Sequence, residues 1–414
     1  MNVNPRRIDD CPLPWGGRVP GISSGSNRSP PVGPGKYAAM AMCWILGNGC
    51  LFSWNSMLTI GDYYAYLFPD YHPTRVLTLV YQPFAVGLLA ILAYREATIN
   101  TRRRNLTGYV IFFISSLLLI VLDLATSGRG GVWPFLGVCI ISGAFGVADA
   151  HVQGGMVGDL SLMCPEFVQS FLAGLAASGA IISNTKGGLR KGALLFFAIS
   201  SFFELLCVLL YAFIFPRLPI VRFYRSKAAS EGSKTVSADL AAGGMRDLPT
   251  HDAPQGEDPK HPERLSTTQL FLQNVDYALD MFLIYTLTLS IFPGFLSEDT
   301  GSHSLGSWYA LVLIAMFNVW DLIGRCIPLV EALKLGSRRG LMAAILSRPG
   351  WMITLTSFLG LSNGYLTVCV ITAAPKGYKG PEQNALGNLL VLCLLAGIFS
   401  GVTLDWLWLI GKGW

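Results

Sequence analysis

The chain has 414 residues, of which 52% are apolar and only 13% charged, with mean hydropathy +0.48 and formal charge +5. A soluble domain of this length needs far more surface charge, so the composition specifies an integral membrane protein. The positive excess is small and scattered, which fits topological bias at a cytoplasmic face and excludes a nucleic-acid groove; no nucleic-acid partner is expected.

Residues 1–36 are rich in Pro, Gly and Ser and lack the apolar core of a signal peptide, so they read as a disordered cytoplasmic tail. A hydrocarbon core about 30 Å thick needs roughly 20 apolar residues per helix. Stretches of that kind run near 37–60, 76–94, 106–125, 132–154, 193–215, 269–293, 307–330, 351–374 and 386–410, with a shorter one at 167–183. The runs are too long and continuous for barrel strands. They divide into an N-terminal bundle of six helices (37–215), a polar cytoplasmic loop (216–268) and a C-terminal bundle (269–414). Two helical lobes about a long loop are the organisation of a transporter.

Charge sets the sidedness. Arg95, Arg102, Arg103 and Arg104 follow the second span, and Arg217, Arg222, Arg225 and Lys227 open the central loop, marking both as cytoplasmic. Asp62, Asp70, Glu298 and Asp299 fall on the outer side, as the rule allows, whereas Lys186, Arg190 and Lys191 also fall there and violate it.

Nine cysteines lie mostly singly in apolar runs, as at Cys43, Cys139, Cys207, Cys369 and Cys393, and read as small buried hydrophobes. The five histidines never reach metal-ligand spacing, so no metal and no cofactor is expected. Nucleotide-binding loops and catalytic signatures of hydrolases, zinc proteases and kinases are missing, so the chain is expected to be neither an enzyme nor ATP-driven.

Polar residues inside the apolar runs carry the functional signal. In "FNVWDLIGRCIPLV", Asn318, Asp321 and Arg325 share one helical face. An internal ion pair that eases insertion is one reading. The other is a hydrogen-bonding platform for a hydroxylated solute, with Arg325 supplying up to five donors and Asp321 accepting from a diol. In "GVADAHVQGGMVGD", Asp149 and Gln153 are one turn apart; Gln153 suits either a nucleobase edge or interhelical packing, and His151 points elsewhere. Trp54 and Asn55 could line a cavity, or Trp54 could belong to an interfacial belt. Asp276 and Asp280 lie a turn apart near a cytoplasmic helix end, either solvated or as a proton-coupling pair, with Asp149 a third candidate. Glu204 and Asp405 have no visible partner in the sequence.

The stretches "LFSWNSMLTIGDYY", "VQGGMVGDLSLMCPEFVQSFLAGLA", "FNVWDLIGR" and "LTSFLGLSNGYLTVCVITAAPKGYKGPEQNALGN" together resemble the equilibrative nucleoside transporter family, most closely its plant members, from about residue 37 to 414. The resemblance implies an all-α polytopic fold: a major-facilitator-like, two-lobed bundle of eleven spans, about ten of which are evident here. It further implies nucleosides such as adenosine and uridine as substrates, alternating access, a lipid bilayer as environment (the plasma membrane first among candidates) and facilitative or proton-coupled movement. Position by position it assigns the ribose to Asp321 and Arg325 with Asn318 a turn away, the base to Gln153, and a cavity wall to Trp54. Two departures follow: "NTKGGLRKGA" comes at once after Ser183, and only "GLMAAILS" before Arg348 stands where a ninth span belongs. Eight residues cannot cross the bilayer, so either the fragment enters and returns, or loss of this span inverts the last two helices and turns "PKGYKG" outward. Alternative readings are a nucleobase carrier, or a non-transporting truncated isoform that associates with a full-length relative.

Overall fold

A computed structural model describes residues 34–182, 189–231, 265–292, 308–330, 333–334 and 352–407, and among these no strand occurs. The helices are α1 (Pro34–Thr59), the short α2 (Gly61–Leu67), α3 (Pro73–Tyr94), α4 (Thr101–Thr126), α5 (Val132–Ser161), α6 (Pro165–Ile182) and α7 (Leu189–Leu209). After the central region come α9 (Thr267–Gln273), α10 (Val275–Leu289), α11 (Trp308–Cys326), α12 (Met352–Ala373) and α13 (Gly380–Leu407), with α8 (Pro219–Ser230) between the two halves. Seven of the described helices are long and apolar enough to cross a membrane; α1, α6 and α10 complete the bundle by packing lengthwise against them.

Local chemistry sets several helix ends. Asn100 caps α4 by accepting from the Arg103 N–H at 2.8 Å. Ser266 and Gln269 form a reciprocal capping box at the start of α9. Ser127 (φ 55°) and Gly128 (φ 67°) turn left-handed to end α4.

Three expected boundaries move. Residues 34–36, expected in the tail, already belong to α1, where Lys36 Nζ pairs with Glu166 at 2.8 Å; residues 1–33 lie outside the described residues. The central loop is not uniformly irregular, because 219–230 folds as α8. Residues 232–264 lie outside the described residues. The single span expected over 269–293 is broken at Asn274 into α9 and α10.

Within each lobe, pairs of helices pack in parallel, and glycine makes the close approach. On α6, Phe171 O lies 2.0 Å from where a Cβ on Gly47 of α1 would stand, while Asn55 at the far end of α1 donates to Ser178. Ser142 of α5 donates to Leu77 O of α3, and Gly146 sits against Tyr81 and Ala85. In the second lobe Gly397 meets Phe282 and Gly401 meets Thr286, joining α13 to α10. Gly360 meets Phe317 and Gly364 meets Asp321 and Arg325, joining α12 to α11. In all four pairs, residue numbers rise together along both helices. The lobes meet where α13 crosses α3 and α5, and where α11 runs antiparallel to α6.

The parallel pairing of α11 with α12 decides against the inversion. Two parallel helices start at the same end, so α12 begins where α11 began, as it would in a complete bundle. The loop 374–379 therefore sits at the end that carries the central-loop boundaries. Gly380 N donates to Glu231 at 2.9 Å, Leu265 N donates to Glu382 at 3.1 Å, and Asn384 donates to Glu96 at 2.9 Å. "PKGYKG" thus shares a face with the basic segments, in agreement with its own charge. The shortened segments themselves, at 183–188 and 335–351, lie outside the described residues, as does Lys186. Arg190 at the opposite end is explained by an ion pair: its Nε lies 3.1 Å from Asp123 Oδ2.

Candidate functional site

The candidate residues gather into two half-sites, one per lobe. In the second lobe Asp321 and Arg325 are 5% and 7% exposed, and Arg325 Nε donates to Asp321 Oδ2 at 2.9 Å. The other carboxylate oxygen, Oδ1, accepts from Asn363 Nδ2 of α12 at 2.8 Å. Arg325 Nη1 donates at 3.1 Å to the Leu172 carbonyl of α6, in the opposite lobe, and the Tyr285 hydroxyl of α10 interacts with the same guanidinium. Asn318 completes the face two turns earlier, half-buried with its amide against Gly179 of α6. All three α11 residues therefore project at the seam between lobes, as their spacing predicts. The simple ion pair of the sequence reading is present, but it is extended into both lobes.

The first half-site lies on α1, α3 and α5. Trp54 is buried and stacks on Tyr81 with ring centroids 4.2 Å apart, so it is not an interfacial belt residue. Asp149 is buried and accepts from Cys50 Sγ at 3.4 Å. Gln153, one turn on, is 5% exposed, and its Oε1 has no hydrogen-bond partner among the described residues. A buried orphan acceptor of this kind costs about 1–3 kcal/mol, a penalty that a ligand's N–H removes. Trp54 and Gln153 make no hydrogen bond with Asp321 or Arg325. Asn55 is instead used as a joint, donating to Ser178 of α6 at 2.6 Å. His151 folds its Nδ1 back to Val147 O.

The candidate proton-coupling carboxylates differ in setting. Asp280 on α10 is fully buried, against the expectation of a solvated helix end, and neither of its oxygens has a hydrogen-bond partner among the described residues. Asp276 is half-buried and interacts with its surroundings. Glu204 gains partners the sequence did not reveal: Ser53 donates to it at 2.8 Å and also contacts Ser116 and Ser200. Asp405 acts electrostatically on Arg75 across α13 and α3.

At the loop-rich end the seam is closed by polar contacts that sequence spacing could not show. Arg104 of α4 donates to Asn388 of α13 at 2.7 Å, and Arg225 of α8 pairs with the buried Asp159 of α5. Gly154 and Gly158 let α5 approach α13 there, with the Asn388 and Asn384 side chains occupying the space a Cβ would take.

A two-lobed helical bundle whose lobes are joined by a buried arginine, Arg325 to the Leu172 carbonyl, has the architecture of a polytopic membrane protein. Solved structures agree on the architecture. The proton:xylose symporter XylE superposes with TM-score 0.57 at 13% identity, covering 90% of this chain and 88% of that one. The human organic anion transporter MFSD10 gives 0.53 at 15% identity, covering 92% and 95%. A model of the nucleoside transporter family matches residues 138–349. Equilibrative nucleotide transporter 3 of Arabidopsis thaliana is 61% identical over 412 residues, covering 93% of this chain and 98% of the relative. Equilibrative nucleotide transporter 1 of the same plant is 30% identical, covering 90% and 86%. The chain belongs to the equilibrative nucleoside transporter family, among its plant members. Because 93% of 414 residues is fewer than the 412 aligned with transporter 3, the matched region contains gaps in this chain.

Proposed function

We propose that this chain moves purine and pyrimidine nucleosides across a membrane by alternating access of its two lobes. The observation that carries the reading is the buried Asp321–Arg325 pair, which reaches from α11 to the Leu172 carbonyl of the other lobe. A ribose diol arriving at the seam would accept from Arg325 and donate to the remaining lone pairs of Asp321. Asn318 adds an amide to the same face, Gln153 offers its unpartnered acceptor to a base amino group, and Trp54 presents an aromatic wall beside Tyr81. Because the Arg325 contact to Leu172 spans the lobes, a substrate that replaces it loosens one lobe from the other, which is what alternating access requires.

Two buried carboxylates support a proton as co-substrate: Asp280, without hydrogen-bond partners among the described residues, and Asp149, held by a thiol. Asp276, a turn from Asp280, joins them as the third candidate. The plasma membrane is the proposed location. The test is uptake of radiolabelled uridine and adenosine by cells expressing the chain, with matched surface levels. Saturable uptake that unlabelled nucleosides compete for, and that Arg325→Ala abolishes, is expected. Membrane insertion without uptake would overturn the proposal.

A further inference from the structure

Asp321 is held from two sides. Arg325 comes from its own helix, and Asn363 comes from α12, whose own residues 352–373 include no charged side chain. The approach of Asn363 is built into "GLSNG" at 360–364. A Cβ at Gly360 would stand 2.3 Å from Phe317 O, and one at Gly364 would stand 2.1 Å from Asp321 O. The two glycines flank Asn363 on the face that meets α11, and they bring its amide within reach of the carboxylate. The amide is itself oriented. Thr288 Oγ1 of α10 has one proton and two acceptors within reach, Ile284 O of its own helix at 2.7 Å and Asn363 Oδ1 at 3.1 Å, so its bond to the amide oxygen is shared with the helix. With its carbonyl taken by a donor, the amide presents N–H to Asp321.

We infer that Asn363 is a positioning residue that sets the Asp321 carboxylate for substrate, with Thr288 fixing the direction of its amide; this rests on the proposed ribose site. Arg325 alone holds only Oδ2 and leaves the carboxylate free to turn about its bond to the helix. The Asn363 bond removes that freedom, leaving a fixed pair of lone-pair directions toward the seam. Thr288, Asn363, Asp321, Arg325 and the Leu172 carbonyl form one chain through α10, α12, α11 and α6, so the residues that steer the site come from both lobes.

The test is binding of radiolabelled adenosine to the purified full chain between pH 5.5 and 7.5, each variant expressed as a ratio to the parent at the same pH. The ionisable groups facing position 363 are Asp321 and Arg325 on α11 and Tyr285 on α10; the next one back along α10 is Asp280, and α6 presents the Leu172 carbonyl and the neutral Gln169. Asn363→Ala removes a charge-assisted bond, and affinity is expected to fall about tenfold or more. Asn363→Asp sets a second carboxylate beside Asp321, and the two must share a proton. Its affinity ratio is expected to be lowest at pH 7.5 and to recover as pH falls, since the protonated acid donates as the amide does. Thr288→Val is expected to weaken binding less than Asn363→Ala. A variant that merely loosens the fold would show no acid recovery. If Arg325→Ala binds adenosine like the parent, the ribose site itself is wrong and this role falls with it. If Arg325→Ala fails to bind while Asn363→Asp matches the parent at every pH, only the positioning role is overturned.

Discussion

Arg325 and Leu172, 153 positions apart in sequence, are joined by a hydrogen bond of 3.1 Å from a guanidinium on α11 to a backbone carbonyl on α6. The donor belongs to one lobe and the acceptor to the other. The same arginine neutralises Asp321, so one side chain both completes the polar site and fastens the lobes together.

This double duty separates arginine from lysine. Lysine could meet Asp321 or Leu172 but lacks the fork that meets both. Arg325→Lys is therefore expected to lose most uptake while inserting normally. Arg325→Ala leaves a buried carboxylate without its cation, which destabilises by about 3–5 kcal/mol. Adding Asp321→Asn to Arg325→Ala should recover part of the thermal stability but none of the uptake. Equal melting temperatures for the single and double variants would sink this account.

The seam between α11 and α12 depends on glycine. Gly364→Ala would drive a methyl group into the Asp321 carbonyl, and overpacking of that kind costs about 1–3 kcal/mol. Thermal unfolding in detergent is expected to shift downward, with uptake falling in parallel. Gly87→Ala is the control, because nothing lies within 4 Å of the methyl it would add. A neutral result at Gly364 would mean that the two backbones are further apart.

Sidedness is directly measurable. With Cys326 replaced by Ala, single cysteines are introduced by Lys376→Cys, Ser230→Cys and Arg129→Cys, all exposed positions. An impermeant maleimide applied to intact cells should label the third alone, whereas permeabilised cells should show all three. Labelling of position 376 together with 129 in intact cells would restore the inverted arrangement.

If a proton accompanies the substrate, uptake rises with external acidity and collapses with a protonophore. Asp280→Asn mimics the protonated acid, so it is expected to keep exchange of labelled for unlabelled nucleoside while losing accumulation against a gradient. Asp149→Asn serves as the parallel test in the other lobe. Unchanged acid stimulation in both variants would remove these carboxylates from the coupling role.

Spacing on a helix made much of this legible. Asn318, Asp321 and Arg325 share a face because of the 3.6-residue repeat, and that face does meet the opposite lobe. Most of the long helices among the described residues follow from apolar length alone. Asn363 is not legible in the same way, because an asparagine between the glycines of "GLSNG" in an apolar run gives no sign of which helix it will meet. The sidedness of the last two helices is not legible for a related reason: counting spans assumes that each contributes one crossing of full length, whereas the parallel register of Gly360 and Gly364 against α11 is a tertiary fact. Asp280 reads as a solvated end residue, yet on α10 it is fully buried, which only the packing of the helices decides.

The two hydrogen bonds at the start of α13 bear on how the halves of the protein are held together. Glu231, where the first half ends, bonds to Gly380, and Leu265, where the second begins, bonds to Glu382. Departure and return of the central segment are thus moored two residues apart, whatever its length. Doubling such a segment costs only about 0.6 kcal/mol of closure entropy. A chain severed between 231 and 265 should therefore reassemble from two separately expressed fragments, recovered together by affinity capture of either one. Such reassembly would make the protein, in effect, a heterodimer of its two halves whose covalent link is a convenience of synthesis.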